Sequence, residues 1–182
     1  MNNTSRDFIS LKYRKIFKHN LTGGWVEEQL LSSGKVSDKF GYSTSQTPDA
    51  KKLVIGAPYT SSEAGMVYFY SRSKASDMFQ VAEENLSGFE KNDHLGMSVS
   101  IALDGSRFSV GLPGRGQEQG DQFGSVIVCE IDENDDTGTF LLPSNEIYGE
   151  SNQNFGTSVA LNANGTVVVV GVPSAGIVRS FT

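Results

Sequence analysis

The sequence predicts an all-β chain built from repeated four-stranded antiparallel units, and three observations carry that prediction. A large apolar residue, a glycine and, two positions on, a serine recur at Phe40-Gly41-Tyr42-Ser43, Leu95-Gly96-Met97-Ser98 and Phe155-Gly156-Thr157-Ser158. Short clusters of Val, Ile, Tyr and Phe are bounded by Gly, Pro, Asn and Asp, and no long stretch shows the i, i+3, i+4 apolar spacing of a helix. The segments TVVVVGV and SVIVCEI are apolar at consecutive positions, whereas a strand with one wet face alternates. Such strands belong in sheets covered on both sides.

Each element of the unit follows from its residues. An outlying aromatic (Trp25, Phe79, Phe140) precedes the repeat glycine by 16 or 17 residues and marks an outer strand. The apolar-Gly-x-Ser phrase opens the next strand and places small side chains where strands crowd together, so a bulky residue at Gly96 is expected to be costly. Eight residues past the glycine stand Asp49, Asp104 and Asn164, the last two followed by glycine, as a tight hairpin with positive φ requires. Fifteen residues past it come Gly56, Gly111 and Gly171, each followed two positions later by Pro58, Pro113 or Pro173. Proline cannot donate to a ladder, and the glycine is read as permitting a sharp exit from the strand. The segments GMVYFY, GSVIVCE and GIVRSFT then supply a third strand. Upstream of all copies, KYRKIFKHN resembles the third strand of an earlier unit.

The repeat runs 55 residues from Gly41 to Gly96 and 60 from Gly96 to Gly156, close to the periods of propeller repeats. Radially stacked four-stranded sheets satisfy every condition above, because each inner sheet packs both faces on neighbours. The expected architecture is therefore a partial, about three-bladed β-propeller of four-stranded antiparallel blades. An N-terminal segment with a stray strand (1–24) precedes repeats at about 25–78, 79–139 and 140–182. Closed propellers have about four to eight blades, so two apolar blade faces are expected to be open. Self-association through them, or a truncated fragment of a larger ring, follows.

The stretches KFGYSTS, LVIGAPY, GMVYFYSRS, HLGMSVSIALDGSRFSVGLP and NFGTSVALNANGTVVVVGVP resemble FG-GAP repeats, the propeller blades of integrin α heads and of bacterial and algal surface proteins. The resemblance covers roughly Trp25 to Thr182 and rests on triple recurrence. It implies a cell-adhesion type of module, a glycoprotein with an extracellular or cell-surface setting, that recognises a protein or glycan. Many such blades hold calcium between their first two strands. Here that place reads TPDAKK, LDGSR and NANGT, with at most one acidic residue each, too few for the six to eight oxygens calcium takes. No cofactor is expected, and the calcium site is not carried over.

Composition excludes other classes. Fifteen Lys and Arg against 21 Asp and Glu give a net charge of -6, which repels nucleic acid and offers no polybasic stripe to anionic lipid. The opening MNNTSRDFIS lacks the apolar stretch of a secretory signal, and no segment approaches the roughly 20 apolar residues that span a bilayer as a helix. Membrane insertion is not expected. Sequons begin at Asn2, Asn3, Asn20, Asn85 and Asn164, a mild indication of extracellular ancestry. The lone Cys129 alternates with Ile127 and Ile131 and reads as a core residue, not a nucleophile.

Tempting sites fail on spacing. Asp132, Asn134 and Asp136 start like a calcium loop, but its glycine comes one place late and Pro143 stands where a bidentate Glu belongs. Gly114, Gly116 and Gly120 miss the phosphate-loop pattern, and His19 and His94 lie far apart with no thiol partner. No nucleophile signature occurs, so no enzymatic activity is expected of the chain itself. The alternative is an accessory propeller of a hydrolase or lyase whose catalytic domain lies elsewhere. Turns between the second and third strands differ widely in length on a constant scaffold and share one end with the blade-to-blade crossings, which is where recognition usually sits. On that end Tyr59, Arg115 and Glu118 are the expected binding residues.

Overall fold

The computed structural model describes residues 14–19, 23–82, 85–117, 120–132, 140–141 and 146–182. They form an all-β array of antiparallel sheets. A hairpin of β1 (Arg14–His19) and β2 (Trp25–Leu31) comes first. The first sheet follows, with β3 (Ser43–Gln46), β4 (Lys52–Ala57) and β5 (Met66–Ser71) in sequence order. Its fourth strand comes in two short pieces, β6 (Gln80–Val81) and β7 (Leu86–Ser87), both paired to β5.

The second sheet repeats this plan with β8 (Ser98–Ile101), β9 (Arg107–Leu112) and β10 (Ser125–Ile131), and with β11 (Phe140–Leu141) and β12 (Ile147–Tyr148) both on β10. The third sheet has three strands, β13 (Ser158–Leu161), β14 (Val168–Val172) and β15 (Ile177–Phe181). Register is constant: the repeat serine faces the repeat glycine in the pairs Ser43 with Gly56, Ser98 with Gly111 and Ser158 with Gly171.

The turn between the first two strands of each sheet has one construction. Ala50, Gly105 and Gly165 donate their N–H to the carbonyls of Thr47, Ala102 and Asn162, and all three hold φ positive, at 57°, 72° and 65°. The expected positive φ is present, in a four-residue turn. The recurring Asp or Asn of the turn works locally. Asp49 Oδ1 accepts from Thr47 Oγ1 (2.6 Å) and Lys51 N (3.0 Å), and Asp104 Oδ1 accepts from both Ser106 N and Ser106 Oγ. These are the side-chain to backbone bonds for which turns favour Asp and Asn.

Adjacent sheets lie face to face. Val54, Val67 and Phe69 of the first sheet share a core with Ile101, Phe108, Val110, Leu112 and Ile127 of the second, and Phe69 stacks on Phe108 at 6.0 Å. Val126 of the second sheet packs with Val168, Val170 and Val172 of the third. Cys129 is fully buried in the first of these cores. Burial pushes its thiol up to about 12, so it is inert at neutral pH.

The repeat glycines are explained by this stacking, and the explanation differs from a sharp strand exit. A Cβ on Gly56 would stand 2.0 Å from the carbonyl oxygen of Gly96, and one on Gly111 would stand 1.9 Å from that of Gly156. Ser43 Oγ and Ser98 Oγ donate to those same two oxygens, each at 2.8 Å. Serine and glycine together thus form a clasp that seats the next sheet's backbone. Gly96 itself has φ +88°, and its Cβ would lie 3.0 Å from the Gly56 Cα, so bulk there is costly as the sequence suggests. Two further contacts repeat. Ile101 N donates to Ser45 Oγ and Leu161 N to Ser100 Oγ, while Lys52 Nζ donates to the Gly105 carbonyl and Arg107 Nη1 to that of Gly165.

Two expectations are redrawn. Phe140 opens β11 and Phe79 directly precedes β6, and both strands pair with the sheet that precedes them, so the sequence repeat and the sheet are offset by one strand. TVVVVGV is covered on one side only: Val168 and Val170 are buried while Val169 is 38% exposed. Val169 and Val178 are exposed on the outer face of the third sheet, and Trp25 and Val26 are exposed on the N-terminal hairpin.

Candidate functional site

In the first two sheets the turn between the second and third strands lies beside the crossing that enters the following first strand. Backbone bonds fix this: His94 N donates to Glu63 O, Leu95 N to Ala64 O, and Phe155 N to Phe123 O. The variable turns and the crossings therefore share one end of the array, as the parity of the strands dictates.

At the first junction, Thr60–Glu63 makes one helical turn in which Ser61, Ser62 and Glu63 hold φ at 51°, 59° and 67°. Three successive non-glycine residues in the left-handed region are strained, since each places its Cβ against the following carbonyl. The turn is tied down by Asn92 N donating to Ser62 O, and by His94 Nε2 at 2.9 Å from Glu63 Oε2. Against it stands an aromatic group: the Tyr59 ring is 5.4 Å from the His94 ring and 6.2 Å from that of Tyr42. Tyr42 is 52% exposed, and Ser61, Ser62 and Glu63 are exposed beside it.

The second junction is ionic. Arg115 Nη1 lies 3.1 Å from Glu90 and 3.6 Å from Asp93, its Nε lies 3.4 Å from Glu146, and its guanidinium sits over the Phe89 ring at 5.1 Å. Asp93 Oδ2 also accepts from the N–H groups of Phe89 and Glu90. Burial nevertheless holds the Asp93 carboxyl above the ordinary carboxylate value. Ser125 Oγ and Tyr148 Oη both bond Glu146. Arg115 thereby joins the second variable turn to the crossing before β8 and to the segment before β12.

Of the expected binding residues, Tyr59 and Arg115 both lie at this end, Tyr59 in the aromatic group and Arg115 in the ionic one. Glu118 lies outside the described residues, as do Asn134, Asp136 and Pro143 of the acidic loop and the sequons at Asn2, Asn3 and Asn20. Sequence reasoning missed Tyr42, Glu63 and His94. Their signal was positional: Tyr42 sits between the repeat glycine and serine, and His94 two residues before Gly96, so both fall in crossings that must lie beside the variable turns.

Among the described residues, no group of three or more His, Cys, Asp or Glu side chains is placed to hold a metal ion, and no helix is long and apolar enough to cross a membrane. The chain matches no protein-family model and no curated protein.

Proposed function

We propose that the chain is an FG-GAP-like propeller module that binds a protein or glycan partner without catalysing a reaction, through the end that carries Tyr42, Tyr59 and the strained turn Ser61–Glu63. One observation carries this reading. Loops of different length stand on a scaffold whose clasps are identical at both junctions, and one of those loops is held in a strained backbone that displays polar side chains next to the half-buried Tyr59 and the exposed Tyr42 rings. Strain of this kind persists only where surrounding structure fixes it, and such fixed, aromatic surfaces suit recognition. The radial arrangement is supported by the same clasp recurring at each junction. A setting at the cell surface is inferred from the resemblance and the sequons.

The test is binding of the purified chain to panels of immobilised glycans and extracellular-matrix proteins. Tyr42→Ala and Tyr59→Ala are expected to weaken a positive signal by about tenfold or more, the usual size for aromatic anchors. Leu103→Ala, exposed on a turn at the opposite end, is expected to leave it unchanged. Equal loss in all three variants, or none, would remove the assignment.

A further inference from the structure

We infer that the open face of the third sheet is the seat of a second copy of this chain, which enters head to tail with β3 and the Phe40-Gly41 turn. This rests on the proposed radial stacking. Equivalent positions support this. Val67 and Val126, opposite the clasp glycines of the first two sheets, are 1% and 0% exposed, whereas Val178, opposite Gly171, is 68% exposed. Val54 and Ser109 are fully buried, whereas Val169 at the same place is 38% exposed. What covers such a face is visible twice: a glycine carbonyl on the serine hydroxyl, with the clasp glycine beneath. Ser158 and Gly171 keep that pair in register on the third sheet. The three atoms nearest to a Cβ on Gly171 all belong to Ser158 of the same sheet, whereas those on Gly56 and Gly111 meet first the carbonyl oxygen of the next sheet.

The first sheet carries the complementary end. Thr44 and Gln46 are exposed on its innermost strand, and a cleft of about 280 Å³ bordered by Gly41, Thr44, Gln46 and Leu53 separates that strand from the β1–β2 hairpin. The hairpin packs on this face through Ile16 and Leu31, in the manner of a third and fourth strand, and leaves the two inner places open. β13 and β14 of the other copy fit those places. β15, which pairs only with β14 among the described strands, then takes the position of β1 beside β2, completing a four-stranded sheet. Repeated reciprocally, the contact closes after two copies and gives six sheets, inside the four-to-eight range of closed propellers. The third seat is more apolar than the inner two, because Ala160 replaces the Ser45 and Ser100 hydroxyls and Val167 replaces the cations Lys52 and Arg107.

By the internal pattern, Ala160 of one copy meets Gln46 of the other, since Ser45 and Ser100 meet Ile101 and Leu161. Sedimentation velocity of the full chain is expected to show a dimer. Ala160→Glu, which places an unpaired charge in the interface, is expected to give monomers, and Ala160→Glu with Gln46→Lys to restore the dimer. Both sites are exposed in the monomer, so far-UV circular dichroism should not change. Hydrogen exchange is expected to show β15 gaining protection in the dimer as β1 loses it. A monomer at every concentration, a dimer indifferent to Ala160→Glu, or a failed rescue overturns the inference. Gly111→Ala separates this from the stacking it rests on. If that variant melts with the wild type, the stacking fails. If it melts well below wild type while wild type stays monomeric, only the second copy fails.

Discussion

Ala50 holds φ at 57° where the other two turns place Gly105 and Gly165. A Cβ in the left-handed region crowds the following carbonyl at a cost of roughly 1 kcal/mol. Ala50→Gly is therefore expected to raise stability by about 1 kcal/mol, read from the denaturant midpoint at unchanged m value. Three carboxyls at this scale respond to pH in opposite senses. The Thr47 hydroxyl holds Asp49, and the Ser106 N–H and hydroxyl hold Asp104, below the ordinary value, while burial holds Asp93 above it. The stability from Asp49 and Asp104 is present above the ordinary carboxylate value and is lost as pH falls through their depressed values. Asp93 does the reverse: ionising it in the fold removes stability as pH rises from the ordinary value through its raised one. Carboxyl chemical shifts followed against pH should show Asp93 titrating last; Asp93 titrating with or before Asp104 would refute this. Arg115 shows how little of such a site the sequence reveals. The sequence reads its cation as a binding residue on a variable turn, yet Glu90, Asp93 and Glu146 from separate segments close around it, and no spacing encodes that encounter.

Among the elements, the hairpin β1–β2 is fastened by side chains. Gln29 Nε2 donates to the Phe79 carbonyl (3.1 Å) and Gln29 Oε1 accepts from the Phe79 N–H (2.8 Å), so one amide imitates a ladder pair between β2 and the chain entering β6. Arg72 adds an ion pair to Glu28 and lies 4.1 Å over the Phe79 ring. Gln29→Ala removes both amide bonds and is expected to cost about 1–3 kcal/mol locally. The expected readout is faster hydrogen exchange in β1 and β2 with β9 unaffected. Strand identity was legible in the sequence because apolar clusters and punctuating Gly and Pro are local signals. Strand partnership was less so. Phe79 and Phe140 recur with the following glycine and so look like the start of a unit, but pairing is decided by which edge is vacant, and β5 and β10 offer one.

At the level of the whole array, each sheet's stability depends on how many of its faces are covered. The second sheet has neighbours on both faces and the third on one, so amides of Val168–Val172 are expected to exchange faster than those of Arg107–Leu112. Equal protection in a monomeric sample would contradict the nearest-neighbour picture. The repeat, its period and the open ends were readable because they are properties of one chain compared with itself. The reason for Gly56 and Gly111 was not, since the oxygen that excludes a side chain there belongs to the next unit.

The serine-glycine clasp has a consequence for how such molecules lengthen. Each unit carries a hook at its front and an eye at its rear, so copying one stretch of gene transmits both halves of the fastening together. A duplicated unit would bring with it the surface its neighbour needs.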